Sequence, residues 1–144
     1  FPAAAGILTV GGAFPDQGVN CTRGQACQIV VRGIDLNKDT HRLALRGEGQ
    51  SCGSGDRMRK DVAGNPFAAL SQESAGRITF TTSPIQVLET LYICYCVPYG
   101  GLCGSTELTD YKQLAGYLDV RGAAPDQSFL CGRGGYCILE VSGH

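Results

Sequence analysis

Cysteine is the residue type whose number and spacing in this sequence most clearly imply chemistry. An even number of closely spaced cysteines in a chain of 144 residues is typical of a disulfide framework formed in an oxidising compartment. A zinc site is the alternative, but the sequence lacks the paired CxxC spacing of zinc ligands. We therefore expect no metal centre and no cofactor. The cysteines expected to form disulfides are Cys21, Cys27, Cys52, Cys94, Cys96, Cys103, Cys131 and Cys137.

The pairing of these cysteines follows only in part from their spacing. Two pairs are close enough in sequence for each to bridge across a single loop. The four remaining cysteines allow three pairings, and we favour one of them without excluding the other two. The favoured disulfides are Cys21–Cys27, Cys131–Cys137, Cys52–Cys94 and Cys96–Cys103.

A glycosylation sequon overlaps the first cysteine. Asn20-Cys21-Thr22 fits the N-x-S/T pattern, which marks an acceptor asparagine when the protein is secreted. Together with the cysteines it predicts an extracellular location, and Asn20 is the predicted site of an attached glycan. Because the sequence opens with Phe1-Pro2 and shows no signal-peptide pattern, we interpret it as mature protein.

Catalytic motifs are weak. Residues 49–53 match the GxSxG nucleophile pattern around Ser51, but that motif works on a strand-to-helix turn with an acid and then a histidine downstream. The only downstream histidine is His144, and His41 reads as an exposed residue at the start of a strand. No nucleophile, base and orienting group come together, so we expect that the chain is not an enzyme.

A calcium loop is a further alternative that the sequence leaves open. Asp35, Asn37 and Asp39 have the D-x-N-x-D spacing, yet Thr40 stands where the loop needs Gly and Arg46 where it needs a bidentate Glu. A turn rich in Asn and Asp between two strands explains the same residues.

An internal repeat is the most informative pattern in the sequence. Residues 6–33 align without gaps to residues 116–143 at an offset of 110 residues, with 14 identities in 28 positions. So many matches indicate a segment of a tandem array, although a duplicated hairpin within one domain remains possible. We divide the chain into a first repeat period, 1–115, and the start of a second, 116–144.

Pro-Asp-Gln recurs within the repeat, at residues 15–17 and 125–127. Pro fixes φ and Asp bonds to its own backbone, so a tight turn is the favoured interpretation. A contact made once per repeat is the alternative.

Apolar residues recur at every second position of both copies, which is typical of strands with one buried face. We expect the buried faces to carry Leu8, Val10, Cys27, Ile29, Val31, Leu118, Val120, Cys137, Leu139 and Val141.

The elements that must position the cysteines are further short strands. Residues 41–46 should bury Leu43 and Leu45, residues 77–81 should bury Ile78 and Phe80, and residues 89–97 are apolar on both faces and so should be central. Two short helices are also predicted, over residues 65–72 and 105–114. Short strands and 21 glycines favour an all-β fold, a β-sandwich.

Charge and hydropathy exclude two classes of partner. With a net charge of -1 and only 17% charged residues, the chain has no basic surface for nucleic acid. Its apolar runs are strand-sized, far below the roughly 18 residues of a spanning helix, so we expect no membrane insertion.

The order of motifs resembles a known class of secreted proteins. A CxxxxxC pair leading into an apolar strand at residues 21–33, YICYC at residues 92–96 and GYLDVRGAAPDQ at residues 116–127 resemble cysteine-rich, immunoglobulin-like (IPT/TIG-like) extracellular β-sandwich repeats of large protist surface or fibril proteins. The chain has no Trp, unlike antibody domains. The resemblance implies scaffolding or adhesion and identifies no catalytic residue.

The sequence thus predicts a structural repeat of an extracellular, glycosylated filament or surface coat. Neighbouring repeats, or identical subunits, would join head-to-tail by β-strand pairing and share strands at the chain ends. An extracellular adhesin or carbohydrate-binding module is the alternative, with its site in the loops between strands.

Overall fold

The computed structural model describes residues 5–47, 51–54, 61–98, 103–104, 107–124 and 127–144. The fold is all-β, and within these ranges it contains eight strands, a single 3-10 turn at Leu108–Asp110 and no α-helix. The strands are β1 (Gly12–Ala13), β2 (Gln17–Thr22), β3 (Gln28–Ile34), β4 (Arg42–Gly47), β5 (Phe67–Ser74), β6 (Arg77–Thr81), β7 (Thr90–Cys96) and β8 (Gln113–Arg121).

All eight strands belong to one hydrogen-bonded sheet with the order β1-β3-β6-β5-β4-β7-β8-β2. Every neighbouring pair is antiparallel except β2 and β8, which run parallel. The two outer strands, β1 and β2, are joined in the chain only by residues 14–16. The sheet therefore curls, since its opposite edges must approach each other over that short connection.

The main core fills the concave side of this curled sheet. It is built from alternate residues of the strands, because successive side chains of a strand point to opposite faces. The fully or nearly fully buried side chains in it include Ile29, Val31, Leu43, Leu45, Ile78, Phe80, Leu91, Ile93, Tyr95, Leu118 and Val120.

A second, smaller cluster covers the opposite face of β4 and β7. Its buried members are Ala44, Cys94, Cys96, Cys103 and Tyr111. Strand β7 is therefore packed on both faces and has β4 and β8 as its neighbours, which confirms the prediction of a central strand over residues 89–97.

The strands predicted over residues 41–46 and 77–81 are confirmed as β4 and β6, with their expected inward residues buried. The coarser expectation of an all-β fold with disulfides is also confirmed. Strand β8 runs from Gln113 to Arg121 and so continues across the expected boundary between 1–115 and 116–144.

Both predicted helices are wrong. Residues 67–72 of the first lie in β5, whose backbone finds its hydrogen-bond partners in β6. Of the second, residues 105–106 lie outside the described ranges, Leu108–Asp110 is a 3-10 turn and β8 begins at Gln113. Pairing along the sheet thus overrode the local propensity of these residues.

Each predicted buried position of the repeat occurs twice in the chain, and only one of the two residues is buried. Cys27, Ile29, Val31, Leu118 and Val120 are buried. Within this chain the prediction is wrong for the exposed residues Leu8, Val10, Cys137, Leu139 and Val141. Residues 5–11 and 127–141 belong to no strand, so these side chains have no facing strand to cover them.

Candidate functional site

A hairpin of the same local geometry occurs at both ends of the described chain. In one, the backbone N–H of Phe14 donates to the carbonyl of Arg32 at 2.8 Å; in the other, Ala124 donates to Ser142 at 2.7 Å. Each of these residues lies 110 positions from its counterpart. The chain therefore builds one supersecondary unit twice, and we name the two copies the first hairpin and the second hairpin, residues 12–34 and 122–144.

Gln17 holds the first hairpin together through its side chain. Its Nε2 donates to the carbonyls of Phe14 and Arg32 at 2.7 and 3.0 Å, and its Oε1 accepts from the Arg32 N–H at 2.8 Å. Gln127 makes the same three bonds in the second hairpin, at 2.8, 2.9 and 2.7 Å. The amide thus bonds to the backbone of the facing segment much as a paired strand does.

This role of glutamine was missed by the sequence analysis, which assigned the repeated Pro-Asp-Gln to a turn. The turn interpretation fits Asp16, whose φ of 63° is a left-handed value that Asp tolerates better than most residues. Pro125 and Asp126 lie outside the described residues. The identity of Gln17 and Gln127 was the available signal, because a simple turn does not need glutamine at its end.

A disulfide closes the tip of each hairpin. Cys21 bonds to Cys27 with a Cα–Cα distance of 5.7 Å, and Cys131 bonds to Cys137 at 5.8 Å. The structure thus contains both pairs that spacing favoured. Gly24 and its counterpart in the second hairpin have φ values of 83° and 81°, so the same left-handed turn is used in both.

Strand β2 of the first hairpin pairs in parallel with β8, with Gln17 opposite Gly116 and Val19 opposite Leu118. The strands approach closely at Gly116, where an added Cβ would lie 1.8 Å from the Gln17 carbonyl oxygen. A side chain at this position is therefore incompatible with the pairing.

The other two disulfides tie loops to β7. They are Cys52–Cys94 and Cys96–Cys103, each with a Cα–Cα distance of 5.5 Å, and they are the pairs favoured among the three possibilities. Tyr111 packs beside them and donates its hydroxyl to the Cys103 carbonyl at 2.7 Å. Burial raises the pKa of Tyr111 to about 12, so this donor keeps its proton across the physiological range.

Arg46 positions the loop that carries Cys52. Its side chain is buried on β4, and its Nη1 donates to the Ser51 carbonyl at 2.6 Å and to the Ser54 hydroxyl and carbonyl at 2.8 and 3.3 Å. A buried guanidinium needs acceptors for its five N–H groups. The loop over residues 51–54 supplies several of them, and the sequence analysis gave Arg46 no such role.

His41 is buried, so the prediction that it is exposed is wrong. Its Nδ1 lies 2.9 Å from the Tyr95 hydroxyl and accepts from the Asn37 N–H at 3.3 Å. Burial first, and then the neighbouring Arg42 charge, lowers the pKa of His41 from its ordinary value of 6.5. Burial likewise raises the pKa of Tyr95, which keeps the phenol protonated as a donor to the imidazole.

The neutral state of buried His41 predicts acid sensitivity. The unfolded chain binds a proton at this imidazole more readily than the folded one, so this contribution to stability is present above about pH 6.5 and is lost as the pH falls further. We expect the melting temperature to fall between about pH 7.5 and about pH 5 by more in the parent than in His41→Gln, measured by circular dichroism. An equal fall in both proteins would contradict the assignment.

The GxSxG pattern finds no catalytic partner among the described residues. Gly49 and Gln50 lie outside them, and the Ser51 carbonyl is bonded by Arg46. Of the two histidines, His41 bonds to Tyr95, and Nε2 of His144 lies 2.6 Å from Asp119 Oδ1. The absence of enzymatic activity stays a prediction.

The candidate calcium residues form a turn. The Asn37 side chain accepts from the Asp39 N–H at 2.9 Å, and the Asp39 carboxylate contacts Lys38 at 3.1 Å. Asp35 has a φ of 52°. In the part of the chain that the structure describes, no group of three or more His, Cys, Asp or Glu side chains could hold a metal ion.

Asn20 lies on β2, at one edge of the sheet, with its side chain exposed. In the β2–β8 register it stands opposite Asp119. The amide is therefore accessible to solvent, as a glycan acceptor must be.

A groove separates β2 from β3 where the curled sheet stays open. It has a volume of about 300 Å³ and is lined by Gly18, Val19, Gln28, Val30, Arg32 and Arg77. Its two arginines give the groove a positive charge.

Across the described ranges no helix is both long and apolar enough to cross a lipid bilayer. No protein-family model, no curated protein and no solved structure matches this chain.

Proposed function

We propose that this chain is a structural repeat of an extracellular, glycosylated filament or surface coat, assembled head-to-tail by β-strand pairing. The observation that carries the proposal is the hairpin built twice. Two units 110 residues apart share their backbone bonds, their glutamine side-chain bonds and their disulfide. A recurring unit of this kind is how tandem arrays are made.

The extracellular part of the proposal rests on covalent chemistry. Four disulfides are typical of proteins that fold and persist in an oxidising environment. The exposed Asn20 within its sequon supports glycosylation, and a glycan there would sit on the outer strand β2. A bulky, hydrated group on an edge strand discourages sideways pairing with other sheets, which suits growth in one direction.

The immunoglobulin-like sandwich belongs to the same proposal. The curled sheet supports it, because inward side chains of β3, β6, β7 and β8 share one core, as those of two packed sheets would. Head-to-tail repetition of one such domain gives an open filament when the rotation per step does not close a ring.

Electron microscopy of the secreted chain under non-reducing conditions tests the proposal directly. We expect filaments with a regular axial repeat by negative staining, and an average mass that rises with concentration by light scattering. A monodisperse monomer at every concentration would contradict self-assembly and favour the second candidate function.

That candidate is an adhesin or carbohydrate-binding module, and the groove between β2 and β3 is the observation that favours it. Arg32 and Arg77 line the groove, and arginine binds carboxylate or sulfate groups through paired hydrogen bonds. An acidic glycan is thus the ligand class that the groove would take. Retention of a monomeric chain on an acidic glycan surface, but not on its neutral counterpart, would support this function.

A further inference from the structure

Matched apolar positions in the two copies of the repeat differ in burial. Leu8 and Val10 are 88% and 74% exposed, whereas their counterparts Leu118 and Val120 are fully buried in β8. Residues 6–10 thus have the sequence of a β8 strand but are exposed throughout. Exposed apolar residues in a row indicate an interaction surface.

The second hairpin also exposes apolar residues whose counterparts are buried. Leu139 and Val141 are 55% and 61% exposed, whereas their counterparts Ile29 and Val31 in the first hairpin are each 1% exposed. In the first hairpin these residues share a core with β8. Among the described residues, then, no β8-type strand lies against the second hairpin, and residues 6–10 have the sequence of one but stay exposed.

Gly6 gives an independent indication that residues 6–11 pair with a strand equivalent to β2. Its counterpart Gly116 must be glycine because a Cβ there would lie 1.8 Å from the Gln17 carbonyl. Around Gly6 itself no atom lies within 4 Å of an added Cβ, so there is no steric requirement for glycine within the described chain, although its φ of 158° also favours glycine. The requirement returns if Gly6 pairs with the residue equivalent to Gln17, which is Gln127.

We propose that residues 6–11 of one copy of this chain pair in parallel with residues 127–132 of a second copy. The register follows from β2 and β8, in which Gln17, Val19, Asn20 and Cys21 stand opposite Gly116, Leu118, Asp119 and Val120. Shifted by the 110-residue offset, the intermolecular pairs are Gln127 with Gly6, Phe129 with Leu8, Leu130 with Thr9, and Cys131 with Val10. This inference rests on the proposed function. We call the parallel pairing of residues 6–11 with residues 127–132 of a second copy the joint.

The joint completes one face of the second hairpin. Leu8 and Val10 of the incoming copy then lie on the same buried side as Leu139 and Val141, just as Leu118, Val120, Ile29 and Val31 belong to one core within a single chain. The break between structural units then falls inside the repeated sequence, between Gly11 and Gly12, rather than at its start. Each copy donates one strand and accepts another at its second hairpin, so the contact is head-to-tail and gives an open filament when the rotation between successive copies does not close a ring.

A pair of variants on the incoming segment tests the buried face. Val10→Asp places a charge at a position that the joint removes from water, so we expect the dissociation constant between copies to rise by about ten-fold or more. Thr9→Asp is the matched control, because the side chain of residue 9 would lie on the opposite, outer face of the paired strands and its counterpart is already Asp119. Analytical ultracentrifugation measures association, and melting curves should match those of the parent because both sites are exposed.

Cross-linking tests the register. In Thr9→Cys/Leu130→Cys the new thiols face each other across the joint, and a short bifunctional thiol reagent should give a ladder of covalent oligomers. Thr9→Cys/Gly132→Cys, two residues out of register, should give at least ten-fold less. The described native cysteines are all in disulfides and do not compete.

The two experiments separate the joint from the proposed function. The joint is wrong, and the filament proposal stands, if filaments form but Val10→Asp assembles like the parent. The same conclusion follows if Thr9→Cys/Leu130→Cys gives no stronger ladder than Thr9→Cys/Gly132→Cys. If the parent chain stays monomeric, both are overturned.

Discussion

Gly116→Ala is expected to destabilise the folded chain by about 3 kcal/mol, with a melting temperature lower by about 10 °C. The added Cβ would overlap the Gln17 carbonyl, and only separation of β2 from β8 relieves the overlap. The residue also has a φ of 141°, which a side chain disfavours. Thermal unfolding followed by circular dichroism measures the effect.

Gly6→Ala is the matched control, because the two glycines are equivalent in the repeat but only Gly116 is packed. We expect the melting temperature of Gly6→Ala to stay within about 1 °C of the parent, while association between copies weakens. Equal destabilisation by the two substitutions would mean that residues 6–11 are already packed within the chain, contrary to their exposure.

Arg46→Met is expected to cost about 3 kcal/mol of folding free energy, the second large effect. Methionine keeps much of the side-chain volume but leaves the Ser51 carbonyl and both Ser54 acceptors without the guanidinium that now bonds to them. The loop over residues 51–54 then loses an anchor. We expect Cys52 to become accessible to a reductant and a thiol label sooner than in the parent, measured by mass spectrometry.

Arg23→Met controls for loss of an arginine as such. Within the described residues Arg23 makes one side-chain bond, from Nε to the Gln86 carbonyl at 3.0 Å near the surface, so its replacement should cost about 1 kcal/mol or less. If Arg46→Met unfolds no more easily than Arg23→Met, the buried guanidinium does not hold the loop as described.

Substitutions at the exposed and at the buried copies of the repeated positions should have different effects. The domain itself is completed by β8 and stabilised by disulfides, so it can tolerate changes at its exposed ends. Residues 6–11 and the second hairpin carry apolar side chains that this chain does not cover. Changes there should leave folding intact and alter association, whereas changes at the buried counterparts should do the reverse.

Much of the fold follows from local patterns in the sequence. Strands β4 and β6 could be predicted because their large apolar residues recur at every second position, which reflects the pleat of a single strand. Strand β7 could be predicted because a short run that is apolar on both faces is typical of a central strand. The disulfides at the two hairpin tips could be predicted because each joins cysteines that are only six positions apart in sequence. The repeat follows from direct comparison of the sequence with itself.

Other features depended on contacts between distant residues and so gave no local signal. The local sequence of β5 predicts a helix, but pairing with β6 makes it a strand. The local sequence also predicts an exposed His41, but its imidazole is buried beside Tyr95. Gln17 was expected only to end a turn, but its side-chain amide bonds to the backbone of Arg32. Each of these depends on a partner supplied by another strand.

By itself, the sequence determined that the chain is disulfide-bonded, all-β and repeated with an offset of 110 residues. Only the tertiary structure decided which copy of each matched position is buried. The physical reason is that alternation records which residues can share a face, whereas burial requires a second surface opposite that face. Leu118 has such a surface in the first hairpin, and Leu8, with the same neighbours in sequence, has none within the described chain.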